Sequence, residues 1–101
     1  MRKFLLLTVL LSTHAYSYKQ NNALVGVLGV QGSSIYFKIN SPFLTDCRWG
    51  NIYFSNNTAF GKAAYANILA AKSSGKKLSR LDYEQVSSGE VCTLTLVEVE
   101  Q

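Results

Sequence analysis

The chain has little of what most enzyme active sites are built from. Its 101 residues include one histidine, two cysteines and six acidic residues. The histidine is His14, in an N-terminal segment that we expect to be removed, so the mature chain would have none. This excludes Ser-His and Cys-His catalysis, histidine acid-base chemistry and histidine metal sites. The few cysteines and scattered aspartates also argue against zinc and calcium sites. We therefore predict no catalytic residues, no metal and no cofactor.

Long hydrophobic runs are also absent. The N-terminal apolar run, residues 4–11, is too short to span a bilayer. It follows a short basic start and precedes small and polar residues, which is the pattern of a secretory signal. We predict a signal peptide over residues 1–17 with cleavage after Ser17, or alternatively after Ala15. A first helix belonging to the fold is the competing interpretation, but only Thr8 interrupts the run. Export would place the protein outside the cell or in the periplasm, with no membrane span.

A chain of this length forms one small domain, residues 18–101, whose core is near the lower limit for unaided folding. In an oxidising compartment Cys47 and Cys92 can pair in only one way, so we predict a disulfide between them. In the chain-entropy model such a bridge stabilises by about 3–4 kcal/mol. A nucleophilic or metal-binding cysteine is the lesser alternative.

One stretch, residues 57–75, has the composition of a helix. It is rich in alanine, which favours helix, and Gly75 suits the C-cap. The N-cap is expected within residues 56–58. A core-facing stripe is predicted from residues three or four apart: Phe60, Ala64, Ile68 and Ala71. Tyr65 and Leu69 form a second apolar edge, wider than a lone helix in a small domain requires.

The rest of the chain reads as strands. Alternating apolar and polar residues predict five of them, at residues 24–31, 35–40, 48–55, 76–85 and 91–100. Residues 18–22 are predicted as a loose tail. Three strands, a helix and two strands is the order of the OB-fold, a five-stranded, partly open Greek-key barrel. We therefore predict a mainly β, OB-fold-like domain with one helix. An α+β sandwich, with the helix on an antiparallel sheet, is the alternative.

Charge gives little indication of a nucleic-acid partner. The net charge is +4, and it falls to +2 if Arg2 and Lys3 are removed with the signal peptide. Four cations cluster around the predicted helix end: Lys72, Lys76, Lys77 and Arg80. Cations at this position complement the helix dipole, so we favour that role over a phosphate or nucleic-acid site. We predict no nucleic-acid partner.

Aromatic residues are numerous for so small a chain, at 12%. The candidate binding residues are those in predicted strands with polar neighbours: Tyr36, Trp49, Tyr53 and Tyr83. Aromatic faces beside polar groups such as Asn51 and Ser55 suit sugar stacking, protein contact or single-stranded nucleic acid. Cross-strand packing of aromatic pairs is the competing interpretation for each.

One pair of carboxylates, Asp82 and Glu84, lies on one face of a predicted strand, about 7 Å apart at the backbone. That separation is compatible with glycoside hydrolysis. Alternating charge with Arg80 on the solvent face of an antiparallel strand explains the same residues more simply.

Several short motifs together resemble the B subunits of the subtilase cytotoxin and pertussis-like AB5 toxins. They cover about residues 35–85 and comprise Tyr36-Phe37-Lys38-Ile39, Cys47, Ile52-Tyr53-Phe54-Ser55, an alanine-rich helix with Tyr65 and Ala66, and Ser74-Gly75-Lys76. The resemblance implies an OB-fold, a homo-oligomeric ring of five subunits, recognition of cell-surface glycans and a catalytic A subunit as partner. The chain is shorter than those subunits and has one possible disulfide where they have more.

From these observations we predict a secreted, non-enzymatic binding module. The leading hypothesis is a toxin B-subunit-like protein that binds glycans and forms a ring oligomer. The alternative is an exported structural or inhibitory protein that binds a protein partner.

Overall fold

A computed structural model describes residues 15–101 of the chain. These residues form six strands and one α-helix, in the order β1 (Tyr16–Ala23), β2 (Val25–Gln31), β3 (Ser34–Ile39), β4 (Ile52–Ser55), α1 (Ala59–Ser74), β5 (Leu78–Gln85) and β6 (Cys92–Val99). A 3-10 turn, Arg48–Gly50, precedes β4. The predicted mainly β class with one helix is confirmed. Most of the predicted signal peptide, residues 1–14, lies outside the described residues.

The six described strands make one sheet in the order β1-β5-β6-β4-β3-β2. β4 and β6 run parallel, with Ile52 opposite Cys92, and the other neighbouring strands are antiparallel. In chain order α1 lies between β4 and β5, as the predicted order of three strands, a helix and two strands requires. β1 and β2 are the two edges of the sheet, although only Leu24 separates them in the chain. They do not pair with each other, so the described strands do not close into a barrel.

The sheet has one strand more than the five predicted, because residues 18–22 are ordered within β1 rather than a loose tail. β1 pairs antiparallel with β5, from Tyr16 opposite Gln85 to Ala23 opposite Leu78. An edge strand can consist mostly of polar residues, since only every second side chain is half-buried. Tyr18 is one of these, and its ring stacks on that of Tyr83 at 5.6 Å.

The helix begins and ends close to the predicted residues. The Thr58 hydroxyl accepts a hydrogen bond from the Gly61 N–H at 2.9 Å, and Gly75 ends the helix at a φ of 70°. The buried stripe differs in one position from the prediction. Gly61, Ala64, Ile68 and Ala71 face the core, whereas Phe60 is exposed. A Cβ atom on Gly61 would overlap the carbonyl oxygen of Ser55, so only glycine allows this close approach of helix and strand.

The core lies between the inner face of the curved sheet and α1. Its largest fully buried members are Tyr83, Phe37, Ile35, Ile52, Ile68, Leu78 and Leu81. The predicted disulfide is confirmed: Cys47 and Cys92 are bonded, both buried, with their Cα atoms 5.4 Å apart. Closing a loop with a sequence separation of 45 stabilises by about 4 kcal/mol in the chain-entropy model. The bridge fixes the segment before β4 to the start of β6.

None of the helices in residues 15–101 has the length and apolar character needed to cross a membrane.

Candidate functional site

Three of the four predicted aromatic residues meet on the outer face of the sheet. Tyr36 in β3 lies opposite Tyr53 in β4, and their ring centroids are 5.6 Å apart. The Trp49 ring packs edge-on to Tyr53, with centroids 6.1 Å apart. The strand alternation explains this placement, because the neighbours of Tyr53, Ile52 and Phe54, face the core. We refer to Trp49, Tyr53 and Tyr36 as the aromatic row.

Trp49 is the most exposed member of the aromatic row. Its side chain is 67% exposed, and its backbone has a φ of 58°, in the left-handed region. A bulky residue in that region is strained by about 1–3 kcal/mol, and such strain is often found at functional sites. The surrounding bonds hold this conformation. The Gly50 N–H donates to the Cys47 carbonyl at 2.9 Å, and the Lys38 ammonium donates to the Trp49 carbonyl at 2.8 Å. Because Cys47 is also fixed by the disulfide, Trp49 is held outward on a rigid loop.

Charged groups flank the aromatic row on the Trp49 side. The Arg48 guanidinium lies 5.5 Å from the centre of the Trp49 ring, within the range of a cation–π contact. The same group forms a salt bridge with Glu90 at 3.4 Å. Both partners of that pair are largely solvated, so it contributes at most about 1 kcal/mol. Lys38 is the second cation, which leaves the surroundings of the row weakly positive.

Asn51 connects the aromatic row to the interior. It is only 7% exposed, and its amide nitrogen donates to the Tyr53 hydroxyl at 3.1 Å. Its side-chain oxygen is buried and has no hydrogen-bond partner. An unsatisfied buried acceptor costs about 1–3 kcal/mol.

Gly29 supports the other end of the aromatic row. A Cβ atom at Gly29 would overlap the ring of Tyr36, which lies opposite it in the hairpin of β2 and β3. The ring therefore lies across β2, and the row extends over three neighbouring strands. A glycine inside a strand can allow a bend or bulge. A glycine inside a strand is also typical of close approach by another group, which is its role here.

The sequence did not identify Gly29, Lys38, Arg48 or Glu90 as neighbours of the site. These contacts depend on tertiary structure, since Lys38 reaches the Trp49 carbonyl from β3 and Glu90 reaches Arg48 from the turn before β6. No pattern in the local sequence indicates them.

Tyr83 does not belong to this surface, and its selection as a binding residue is wrong. It is 0% exposed and lies on the inner face of β5. Its hydroxyl donates to the Gln20 side chain at 2.6 Å and accepts from the Leu44 N–H at 2.8 Å. Burial raises the pKa of the phenol, opposed by the Leu44 hydrogen bond. The alternation that places Leu81 in the core places Tyr83 there as well.

One carboxylate of the β5 pair, Asp82, forms a surface ion pair with Arg80. Two nitrogens of Arg80 donate to the two carboxylate oxygens of Asp82, at 3.1 and 2.8 Å. The hydrogen bond from Arg80 lowers the pKa of Asp82, and Glu84 is exposed beside it. Asp82 is therefore held ionised, whereas a general acid needs a raised pKa. Across residues 15–101 we find no group of three or more histidine, cysteine or acidic residues placed to hold a metal ion.

The aromatic row is an open surface, and the described part of the chain has no enclosed pocket. Comparison of the chain with protein-family models, curated proteins and solved structures gives no match. The chemistry available at the row is stacking on aromatic faces, with hydrogen bonding to the groups around them.

Proposed function

We propose that the chain is an exported, non-enzymatic module that binds a glycan through the aromatic row. The observation that supports this most directly is the exposed Trp49, held outward in a left-handed backbone conformation beside Tyr53 and Tyr36. An exposed tryptophan gains nothing in stability from such strain, whereas a binding surface gains a rigid aromatic face. The apolar face of a sugar ring packs against aromatic rings of this kind.

Polar groups around the aromatic row suit the hydroxyls of a sugar. The Tyr53 hydroxyl can donate or accept, and Arg48 and Lys38 donate. Mixed donors and acceptors next to apolar faces are what a carbohydrate requires. The disulfide between Cys47 and Cys92 is compatible with an extracellular or periplasmic location, which the predicted signal peptide would provide.

A glycan array probed with the multivalently displayed protein tests the proposal. A sugar found there is then titrated by calorimetry against Trp49→Ala and Tyr53→Ala. We expect each substitution to weaken binding about tenfold or more, as for a central aromatic contact residue. Val86→Ala is the matched control, because Val86 is 65% exposed and does not belong to the aromatic row. Absence of binding on the array, or equal affinity of Trp49→Ala and the wild type, contradicts glycan recognition.

A second candidate is an exported structural or inhibitory protein that binds a protein partner. It is favoured by the composition of the site, since tryptophan, tyrosine and arginine are the residues most enriched at protein-interface hot spots. A blank glycan array, combined with a purified partner whose binding is lost in Trp49→Ala, would support this candidate over the first.

The resemblance to AB5 toxin B subunits extends the first proposal to a homo-oligomeric ring and a catalytic A subunit. The second apolar edge of α1 would contribute to such a ring through Leu69, which is exposed. Tyr65 packs against the core instead, so the edge is narrower than predicted. Light scattering tests the ring: five copies per particle would support it, and a monomer or a dimer would contradict it. A catalytic protein encoded by the adjacent gene would support the A subunit.

A further inference from the structure

The outer side of β2 is an open sheet edge. Among the described strands, β2 pairs only with β3. Gln31 and Ser34 close the two-residue turn of this hairpin, so their backbone groups face each other. In an antiparallel pair the next residues alternate in direction. The N–H and C=O groups of Val30 and Leu28 therefore point outward, away from β3.

Only one end of this edge is protected. Natural edge strands are usually shielded by charges, prolines, bulges or covering elements. At the start of β2 the register shifts between Val25 and Val27, and the Lys72 ammonium of α1 donates to the Gly26 carbonyl at 2.9 Å. Within residues 15–101, the other end has no such protection. Residues 20–37 contain no charged side chain, and Val30 is 56% exposed.

We propose that this edge pairs with the same edge of a second copy of the chain. The two β2 strands run antiparallel and are related by a two-fold axis at Gly29. Leu28 of each copy then lies opposite Val30 of the other. Because the backbone groups of both residues point outward, each of these pairs can exchange both N–H···O bonds. The result is an isologous dimer in which the two sheets become one.

The register about Gly29 also suits the side chains. The central Gly29 pair is a non-hydrogen-bonded pair, where Cα atoms approach to about 4.5 Å. The space over each Gly29 is filled by the Tyr36 ring of the same copy. The two Lys72 side chains do not repel each other strongly, because each lies at the Gly26 end of its own strand. Those ends are six residues apart along the shared edge, or roughly 20 Å.

The pairing connects the two candidate binding surfaces. Tyr36 lies across Gly29 on the outer face, so the two-fold axis brings the Tyr36 rings of both copies close together. The two aromatic rows then become one continuous surface. The dimer itself does not depend on glycan binding. A single pair of strands buries less than the roughly 1,200 Å² of surface that a stable complex buries. We therefore expect a Kd of about 10–100 µM.

Sedimentation velocity tests the dimer on the protein purified after secretion by an expression host, up to about 500 µM, well above the expected Kd. We expect a monomer–dimer equilibrium that Val30→Lys weakens at least about tenfold, since it places a charge on the edge of both copies. Val86→Lys is the matched control, because it adds the same charge at a similarly exposed valine. Circular dichroism on each variant confirms that it is folded.

Hydrogen exchange gives a second measurement that does not need a variant. The amides of Leu28 and Val30 should gain protection as the concentration rises, whereas the outward amides of β1 should not. A monomer throughout this range, unchanged association of Val30→Lys, or particles of five copies would overturn the proposal. Glycan binding by a protein that stays monomeric up to about 500 µM would overturn the dimer and leave the proposed function intact.

Discussion

Substituting Trp49 by alanine and, separately, by glycine measures the strain at the candidate site. Both changes remove the ring and its contacts with Tyr53 and Arg48, and they differ only in the Cβ atom. At a φ of 58° that atom costs about 1–2 kcal/mol. We therefore expect the glycine variant to be the more stable of the two, which is the reverse of the usual preference.

The size of the difference follows from two opposing effects. A glycine lowers the free energy of unfolding by roughly 0.5–1 kcal/mol relative to an alanine, because the unfolded chain has more conformational freedom at a glycine. Subtracting the middle of this range from the middle of the range for the strain leaves the Trp49→Gly variant about 0.7 kcal/mol more stable than Trp49→Ala. The lost edge-to-face contact and cation–π contact destabilise both variants relative to the wild type by about 1–2 kcal/mol. Trp49→Ala should therefore be clearly destabilised, and Trp49→Gly should lie closer to the wild type.

Urea unfolding followed by circular dichroism gives the free energies of unfolding of the three proteins, provided that their m-values agree. Two positions serve as controls. At Val86, which has no positive φ, alanine should be at least as stable as glycine. At Asn22, which has a φ of 55°, glycine should again exceed alanine. Equal stability of the two Trp49 variants, or greater stability of the alanine variant, would refute a strained backbone at the site.

Three further predictions follow from the core and from β1. Gly61→Ala should lower the free energy of unfolding by about 1–3 kcal/mol, because the new Cβ atom would overlap the Ser55 carbonyl. This effect should outweigh the higher helix propensity of alanine. A higher urea midpoint than that of the wild type would contradict it. Tyr83→Phe should cost about 1–2 kcal/mol at neutral pH, since two hydrogen bonds are lost. Burial raises the pKa of Tyr83 in the folded state, so the contribution of its phenol to stability is complete below about pH 10 and is lost as the pH rises through the folded-state pKa. The stability of Tyr83→Phe should therefore fall less in alkali than that of the wild type. Parallel curves of stability against pH would count against this. N-terminal sequencing of the secreted protein should give Tyr18 first, so that β1 loses only its first two residues; Tyr16 first would show the alternative cleavage after Ala15.

The fold was predictable where a pattern is local. The helix follows from its alanines and its caps, and strands β3, β5 and β6 follow from their alternation. β1 was missed because this edge strand buries few side chains, so its sequence does not show a clear alternation of apolar and polar residues. Phe60 was placed in the core because helical spacing alone does not show how closely β4 approaches. That approach selects Gly61, a residue with no hydrophobicity of its own.

The site was predictable only in part. Aromatic residues with polar neighbours indicated Tyr36, Trp49 and Tyr53, and the cross-strand pairing of Tyr36 with Tyr53 is an ordinary consequence of adjacent strands. The exposure of Trp49 could not be read from the sequence. It depends on a left-handed backbone held by bonds to Cys47 and Lys38, which come from different parts of the chain. Tyr83 is also an aromatic residue with polar neighbours, but it lies on the face of β5 that packs into the core.

Trp49 is the only tryptophan in the chain, and it lies at the candidate binding surface rather than in the core. Indole emission from this protein therefore arises from one solvent-exposed ring at the place where a ligand would stack. Occupancy of the row should change the intensity and wavelength of that emission without any attached label. Global unfolding should shift the wavelength little, since the ring is already in contact with water. The protein thus has an intrinsic optical probe that distinguishes ligand binding from loss of structure.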